Sequence, residues 1–272
     1  MPSASAEPVI AGADAIDLQE EGSHGVLLLH GFGDTPQTLA LLAKRLHRSG
    51  YSVFAPLLPG HGRSMDAFTR SHATDWIQAA RDSLADLRAR HDSVSVVGLS
   101  MGGALAVIVA PTSDAESIVL IAPYLGMPLL LRAAAMVHRA WSRFAGPINA
   151  RNPKSIRDPI EREKNLAYGA VTGRALYQLW RIVHRARRAL PTVTSPTLII
   201  QSKEDPRIAP EIAEWAMENI GARDKKLVWT TGAGHIITVD YGRERVFDEV
   251  ERWLAEHRGS GAEKGFRGRD SR

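Results

Sequence analysis

The chain alternates short, almost wholly apolar segments with longer segments in which apolar residues recur every three or four positions. Short apolar runs that end at glycine or turn residues are typical of buried strands, and the longer pattern is typical of amphipathic helices. Six segments fit the strand pattern: GVLLLHG (25–31), YSVFAP (51–56), SVSVVG (93–98), SIVLIAP (117–123), TLIIQS (197–202) and KKLVWTT (225–231).

Helical segments lie between most of these predicted strands. The first begins near Thr35, which can cap it, has Pro36 in its first turn and ends at Gly50. Further helices are predicted at 75–90, 101–110, 210–220 and 242–257. Because several strands are apolar on both faces and alternate with helices, we predict an α/β fold with a doubly wound, mostly parallel sheet.

The alternation is interrupted between Tyr124 and Leu190, where helical pieces occur without a convincing strand. Since this segment lies between two predicted strands, we interpret it as an insertion over one end of the sheet. The predicted core is therefore residues 1–123 and 191–257, with a small helical cap at 124–190. The tail at 258–272 is rich in glycine and arginine and is predicted to be disordered.

The sequence VSVVGLSMGG (94–103) places Ser100 in a G-x-S-x-G pattern, after a predicted strand and before a predicted helix. Such a sharp strand-to-helix turn exposes a serine as a nucleophile, and Gly98 and Gly102 leave room for the turn. The pattern alone also fits a glycine-rich turn with an incidental serine. The position between strand and helix favours the nucleophile.

A serine nucleophile needs a base, and the base needs a carboxylate to orient it. His235 follows the last predicted strand, and Asp205 follows the strand at 197–202, so both face the edge where Ser100 lies. A surface turn for Asp205 and a structural role for His235 are the alternatives. Glu204 is a rival for the acid because one residue of register separates it from Asp205.

An oxyanion formed at Ser100 needs hydrogen-bond donors. The backbone N–H of Met101 lies at a helix N-terminus, and the turn in LLLHGFGD (27–34) presents the N–H of Phe32 after a strand. We predict that these two groups form the oxyanion hole. His30 and His61 are interpreted as residues that shape their loops, since His61 precedes the serine and breaks the order Ser, Asp, His.

Together these segments resemble the serine-hydrolase branch of the α/β-hydrolase superfamily, and within it bacterial carboxylesterases and monoacylglycerol lipases. The resemblance is carried by 26–62, DW (75–76), VVGLSMGG (96–103), Asp205 and GHIITVD (234–240). It implies that Ser100, Asp205 and His235 form the triad and that Phe32 and Met101 hold the oxyanion. The cap matches the family only in position and rough length, so the resemblance does not extend to substrate preference.

Other classes of protein fit the sequence poorly. The chain has no cysteine, which excludes disulfides and thiolate sites, and no H-E-x-x-H motif, so neither a metal nor an organic cofactor is expected. Related folds with an aspartate nucleophile are disfavoured by Ser100. HGFGDTP (30–36) offers only G-x-G of a dinucleotide fingerprint, and no nucleic-acid recognition module is present.

The start of the chain has no basic leader, and no apolar run is long enough to cross a bilayer, so a cytoplasmic location is expected. The net charge of +4 conceals a basic block, because 124–190 contains 13 Lys and Arg against 3 Asp and Glu. Arg181, Arg185 and Arg188 fall on one stripe of a predicted helix there. A solvated cap face is the simpler interpretation, and docking on an anionic membrane surface is the alternative hypothesis.

The sequence thus predicts a serine carboxylic-ester hydrolase that acts on a small-molecule ester or lipid with an apolar acyl chain. Monoacylglycerol-type lipids and short- or medium-chain esters fit this prediction. An acyl thioesterase with the same triad remains open. So does a ligand- or partner-binding protein that keeps the fold without turnover, since fold does not fix function.

Overall fold

The computed structural model describes residues 7–20 and 24–259. Seven strands form the main sheet: β1 (Ile16–Leu18), β2 (Gly25–Leu29), β3 (Ser52–Ala55), β4 (Val94–Leu99), β5 (Ile118–Ile121), β8 (Thr197–Ser202) and β9 (Lys225–Thr230). A separate antiparallel pair is formed by β6 (Ile148–Asn149) and β7 (Ala170–Val171). The main sheet has the order β1-β3-β2-β4-β5-β8-β9, and only β1 is antiparallel to its neighbour.

Helices cover both faces of this sheet. They are α1 (Ala40–Arg48), α2 (Met65–Arg70), α3 (Ala73–Arg90), α4 (Met101–Val109), α5 (Leu129–Met136), α6 (His138–Trp141), α7 (Pro159–Lys164), α8 (Gly173–Ala189), α9 (Pro210–Asn219) and α10 (Arg243–Glu256). On one face α4 packs between α3 and α8, and on the other α1 packs against α10. All nine residues of α4 are buried, as are all residues of β2, β4, β5 and β8.

The predicted doubly wound, mostly parallel sheet is confirmed, and each of the six predicted strands is present. The short edge strand β1 was not predicted from the sequence pattern. The helix expected from Thr35 begins as a 3₁₀ turn at Pro36–Leu39, with the Thr35 hydroxyl capping the Gln37 N–H, and becomes α-helical at Ala40.

Two features of the segment 124–190 differ from expectation. The prediction of no strand there is wrong, because Ile148–Asn149 pairs with Ala170–Val171. The last helix, α8, packs against α4 of the core and buries an apolar stripe there: Ala175, Leu176, Leu179, Ile182, Val183 and Ala186. The part of the segment that lies before α8 contributes fewer residues to the core, among them Tyr124 and Leu125.

The predicted disordered tail lies outside the described residues from 260 onwards. Within the described ranges, no helix combines the length and apolar character needed to span a bilayer.

Candidate active site

Ser100 occupies a strained turn between β4 and α4. Its φ of 56° and ψ of −115° lie outside the ordinary regions for a residue with a side chain. A Cβ at Gly98 would lie 2.2 Å from the Gly102 carbonyl oxygen, and a Cβ at Gly102 would lie 1.9 Å from the Leu29 oxygen. Both glycines are therefore required by close backbone approach, as the sequence pattern predicts.

The structure brings Ser100, His235 and Asp205 together in one hydrogen-bonded chain. The Ser100 Oγ lies 2.8 Å from His235 Nε2, and His235 Nδ1 lies 2.8 Å from Asp205 Oδ2. Asp205 follows β8 and His235 follows β9, so both reach the carboxyl edge of the sheet where β4 delivers Ser100. The Asp205 side chain is fully buried and that of His235 is 9% exposed.

Asp205 is held by several donors besides His235. Its Oδ1 accepts the N–H groups of Arg207 and Ile208, and its Oδ2 also accepts from Gln201 Nε2. Burial acts to raise the pKa of this carboxyl, but the charge and hydrogen bond of His235, with the two N–H groups, lower the pKa below its usual value. Asp205 is therefore the ionised partner of the imidazole.

The rival acid, Glu204, points elsewhere. Its carboxylate accepts hydrogen bonds from the Ser202 hydroxyl and the Gly232 N–H. These contacts join the end of β8 to the turn after β9. Asp205, and not Glu204, therefore bonds to His235.

Phe32 and Met101, the two residues predicted to form the oxyanion hole, lie near Ser100. Met101 is the first residue of α4, whose leading N–H groups have no partner within the helix. Phe32 lines the same cavity as Ser100. His30 fixes the turn that carries Phe32, because its Nδ1–H donates to the Gly31 oxygen and its Nε2 accepts the Leu58 N–H.

His61 lies behind this turn, packed between the rings of His30, Phe68 and Trp76. Burial lowers its pKa well below the usual value, and it also lowers the pKa of His30 to about 4. Both imidazoles are thus neutral residues that support the turn of Phe32, and neither contacts Ser100.

Asp240 organises the loop that carries His235 and was not singled out from the sequence. Its carboxylate accepts four backbone N–H groups, those of Arg157, Asp158, Gly234 and Tyr241. Asp240 therefore joins the His235 loop to the insertion. Its presence at the end of the segment GHIITVD was the only signal available in the sequence.

A second contact joins the same two segments. The Ser155 carbonyl oxygen accepts the N–H groups of both His235 and Ile236, each at 2.9 Å. A Cβ on Gly234 would lie 2.0 Å from the Lys154 oxygen, so only glycine permits this approach. The backbone of His235 is consequently positioned by the insertion as well as by the core.

Asp34 is a further buried acid at the site that sequence reasoning did not identify. It is 4% exposed, its Oδ2 accepts from the Thr38 hydroxyl, and within the described residues its Oδ1 has no partner. Burial raises its pKa to about 6, against the smaller lowering effects of Thr38, Thr35 and His235. The pKa of this carboxyl, in the turn after β2, thus lies closer to neutral pH than that of an ordinary aspartate.

A cavity of about 1120 Å³ opens over Ser100 and His235. One part of its lining is apolar and includes Phe32, Leu131, Trp141, Val171, Leu176 and Leu179. The lining also includes polar residues of the segment 124–190: Asn149, Arg151, Asn152, Arg162, Glu163 and Asn165. The lining therefore offers a ligand both apolar and polar contacts. Among the residues that the structure describes, no cluster of three His, Cys, Asp or Glu could hold a metal ion.

Known proteins share this architecture. The family model described as serine aminopeptidase, S33 matches residues 21–241. A thermostable monoacylglycerol lipase from Bacillus sp. (strain H-257) is 30% identical over 254 residues, which cover 93% of this chain and 98% of the lipase. A carboxylesterase from Bacillus subtilis (strain 168) is 24% identical over 237 residues, covering 86% of this chain and 93% of the esterase.

Solved structures agree with these sequence relatives. One from work on two metagenome-derived lipolytic enzymes is 31% identical, with a TM-score of 0.83 over 92% of this chain and 100% of the other. The monoacylglycerol lipase of Paleococcus ferrophilus has a TM-score of 0.75 over 89% of this chain and 98% of the other. At 20% identity, the second likeness concerns the fold alone.

Proposed function

Since this chain belongs to the serine aminopeptidase S33 family of α/β-hydrolases, we propose that it is a serine carboxylic-ester hydrolase with Ser100, His235 and Asp205 as its triad. Its relatives support lipase or esterase activity. The observation that carries the triad assignment is the pair of 2.8 Å hydrogen bonds that link Ser100, His235 and Asp205.

The proposed reaction has two stages. In the first, Ser100 Oγ attacks the ester carbonyl while His235 Nε2 takes the serine proton, and then the imidazolium gives that proton to the leaving alcohol. In the second, water attacks the acyl-enzyme with His235 as base, which releases the acid and restores Ser100. Asp205 keeps Nδ1 protonated and stabilises the imidazolium in both stages.

The backbone N–H groups of Phe32 and Met101 are proposed to hold the oxyanion of each tetrahedral intermediate. Two features support this role. The helix N-terminus at Met101 favours negative charge, and the buried, neutral His30 keeps the Phe32 turn in place through bonds to Gly31 and Leu58. Donors fixed in this way stabilise the charge that develops in the transition state.

We propose that the substrate is an ester of an apolar acyl chain with a small polar alcohol, of the monoacylglycerol type. The mixed lining of the 1120 Å³ cavity supports this class, since it offers both apolar and polar side chains to a ligand at Ser100. The name of the Bacillus sp. (strain H-257) relative, a monoacylglycerol lipase, agrees with it. A thioester could use the same triad, but no feature of the cavity favours a thiol leaving group over an alcohol.

The cap is proposed to be the part of 124–190 that precedes α8, because α8 packs into the core. We further propose a cytoplasmic protein whose cap contacts anionic membrane surfaces. Large apolar side chains there are exposed, among them Leu129, Leu130 and Phe144, and residues 124–172 contain 8 Lys and Arg against 3 Asp and Glu. Binding to anionic vesicles that is lost at high salt would support this contact, and equal binding to neutral vesicles would contradict it.

A substrate panel tests the proposed function directly. It crosses acyl lengths with monoacylglycerols, simple alkyl esters and acyl-CoA thioesters, each with wild type and Ser100→Ala. We expect hydrolysis of the oxygen esters, and a loss of about 10⁶-fold in the variant. Ester hydrolysis by Ser100→Ala within about tenfold of wild type would refute the assignment, and turnover of the thioesters alone would refute the substrate class.

A further inference from the structure

A second cleft of about 590 Å³ lies beside the catalytic cavity, between α5, α8 and the start of α9. Its titratable lining residues are all basic: Arg132, His184, Arg187 and Arg207. The remaining lining residues are apolar or glycine: Gly126, Met127, Pro128, Trp180, Val183, Ile208, Ala209 and Ile212. We call this the basic cleft. No carboxylate lines it, although α9 carries Glu211 in its first turn.

Two of its guanidinium groups are held in place without a carboxylate. Arg187 lies over the Trp215 ring at 3.5 Å and donates to the Leu125 oxygen. Arg207 donates to the Ser155 hydroxyl and the Ala150 oxygen. In the described part of the chain, neither forms an ion pair, and burial lowers the pKa of both groups.

A fixed arginine whose partners are neutral oxygens keeps its full charge available to a ligand. The nearby Asp205 attracts Arg207, but the oxygens of that carboxylate accept hydrogen bonds from His235, Gln201 and two backbone N–H groups. The basic cleft thus combines three guanidinium groups from three separate segments, and no carboxylate is among its lining residues. Guanidinium groups of this kind match the charge and geometry of phosphate oxygens.

The basic cleft adjoins the catalytic cavity. Pro128 and Arg207 line both of them, and Arg207 is two positions after Asp205 in the chain. The shared lining places the cleft next to the cavity that holds Ser100, so a group carried by a ligand bound there lies near the cleft.

We infer that the basic cleft binds a phosphate group carried by the alcohol part of an acyl ester whose carbonyl is attacked at Ser100. This inference rests on the proposed function and narrows it, because it selects phosphate-bearing alcohols over neutral ones. Arg132 and Arg187 bind the phosphate, and Arg207 lies between it and the ester. The phosphate remains unchanged in the reaction, since only the ester bond is broken.

The test compares two soluble short-chain substrates, a monobutyryl ester of glycerol and the same ester with a phosphate on the glycerol. The variants are Arg132→Gln and Arg187→Gln, with Arg188→Gln as the control, because Arg188 is exposed on the same helix outside the cleft. We expect each cleft variant to raise KM for the phosphate ester on the order of tenfold, the loss of one charged hydrogen bond. Turnover of the neutral ester and both activities of the control should stay within about twofold of wild type.

Binding of glycerol phosphate, measured by calorimetry, separates this inference from the proposed function. Glycerol phosphate contains no carboxylic ester, so its binding can be measured without any turnover. Binding that is weakened by Arg132→Gln and Arg187→Gln, with no ester turnover, would uphold the cleft and refute the proposed function. Ester turnover with no such binding, and with equal KM ratios in all variants, would overturn the inference.

A vesicle experiment distinguishes a substrate phosphate from a lipid headgroup. The soluble substrates stay below their micelle concentration, so their response to the variants does not involve a surface. If the cleft variants weaken binding to vesicles of anionic phospholipid and leave the soluble KM ratio unchanged, the phosphate belongs to a headgroup and the substrate assignment is wrong.

Discussion

At the scale of single residues, Ser100 shows how the chain supports a strained conformation. Its positive φ costs on the order of 1–3 kcal/mol. The backbone of the turn offsets this cost, since the Ser100 N–H donates to the Ile121 oxygen and the Ser100 oxygen accepts from Ala104 and Tyr124. Strain at a position so firmly hydrogen-bonded is typical of a nucleophile that is held ready.

Asp205 offers a direct test of the acid assignment. Asp205→Asn should reduce kcat by about 10⁴-fold, because the amide favours the wrong imidazole tautomer of His235. Glu204→Gln is the matched control, since its carboxylate contacts Ser202 and Gly232 instead. Steady-state kinetics on one ester checks both variants, and an inactive Glu204→Gln with a normal Asp205→Asn would reverse the two roles.

Asp34 makes a prediction about pH. Burial raises its pKa from 3.8 to about 6, so the folded protein binds this proton more tightly than the unfolded chain. Ionising the buried Asp34 lowers the free energy of unfolding. This loss is absent below the pKa of the unfolded chain and reaches about 3 kcal/mol above the pKa of the folded protein. The free energy of unfolding of Asp34→Asn, relative to that of wild type, should therefore rise by about 3 kcal/mol as the pH is raised from about 4 to about 8.

Urea unfolding of both proteins across this range measures the difference, in which the titration of all other groups largely cancels. A difference that is constant with pH would show that Asp34 titrates normally in the folded state.

Some of the site residues could be predicted from the local sequence, and others could not. Ser100, His235 and Asp205 could be proposed from the sequence because each follows an apolar strand and the three have a meaningful order. Asp34 and Asp240 could not, because their importance comes from contacts with segments distant in the chain or from burial. The sequence around an aspartate in a loop shows neither its distant contacts nor its burial.

At the scale of elements, the strands were predictable because burial on both faces makes them continuously apolar. The pair β6–β7 was not, since two-residue strands have no periodicity to detect. The packing of α8 against the core could not be predicted either, for a different reason. Its amphipathic pattern shows that one face is buried, but the pattern does not say whether the partner is a cap or the core helix α4.

The loop that carries His235 depends on Asp240. Asp240→Ala removes the acceptor of four backbone N–H groups and should destabilise the fold by about 3 kcal/mol. Because the loop positions the base, kcat should fall more than KM rises. Thermal unfolding and steady-state kinetics check both expectations.

Asp158→Ala is the control for this variant. It removes the side-chain cap of α7, which contacts the Ile160 and Glu161 N–H groups, and should cost about 1 kcal/mol without a change in kcat. Equal effects of the two substitutions on kcat would show that Asp240 has no special role in placing His235.

At the scale of the whole molecule, the site forms where core and insertion meet. The strand ends of the sheet supply Ser100, Asp205 and His235, while Ser155 and most of the cavity lining come from the segment 124–190. The uneven charge follows the same division, because the excess of Lys and Arg lies in 124–190. Composition could locate this charge, but only the packing of α5, α8 and α9 gathers part of it into one cleft.

The central claim is that Ser100 is the nucleophile of an acyl-enzyme mechanism, and covalent labelling tests it most directly. The folded protein is incubated with a fluorophosphonate, and the modified residue is identified by tandem mass spectrometry in wild type and in Ser100→Ala. We predict one adduct, on Ser100 Oγ, that is absent from the variant and strongly slowed by Asp205→Asn. An unlabelled Ser100 in folded protein that still hydrolyses esters would contradict the account.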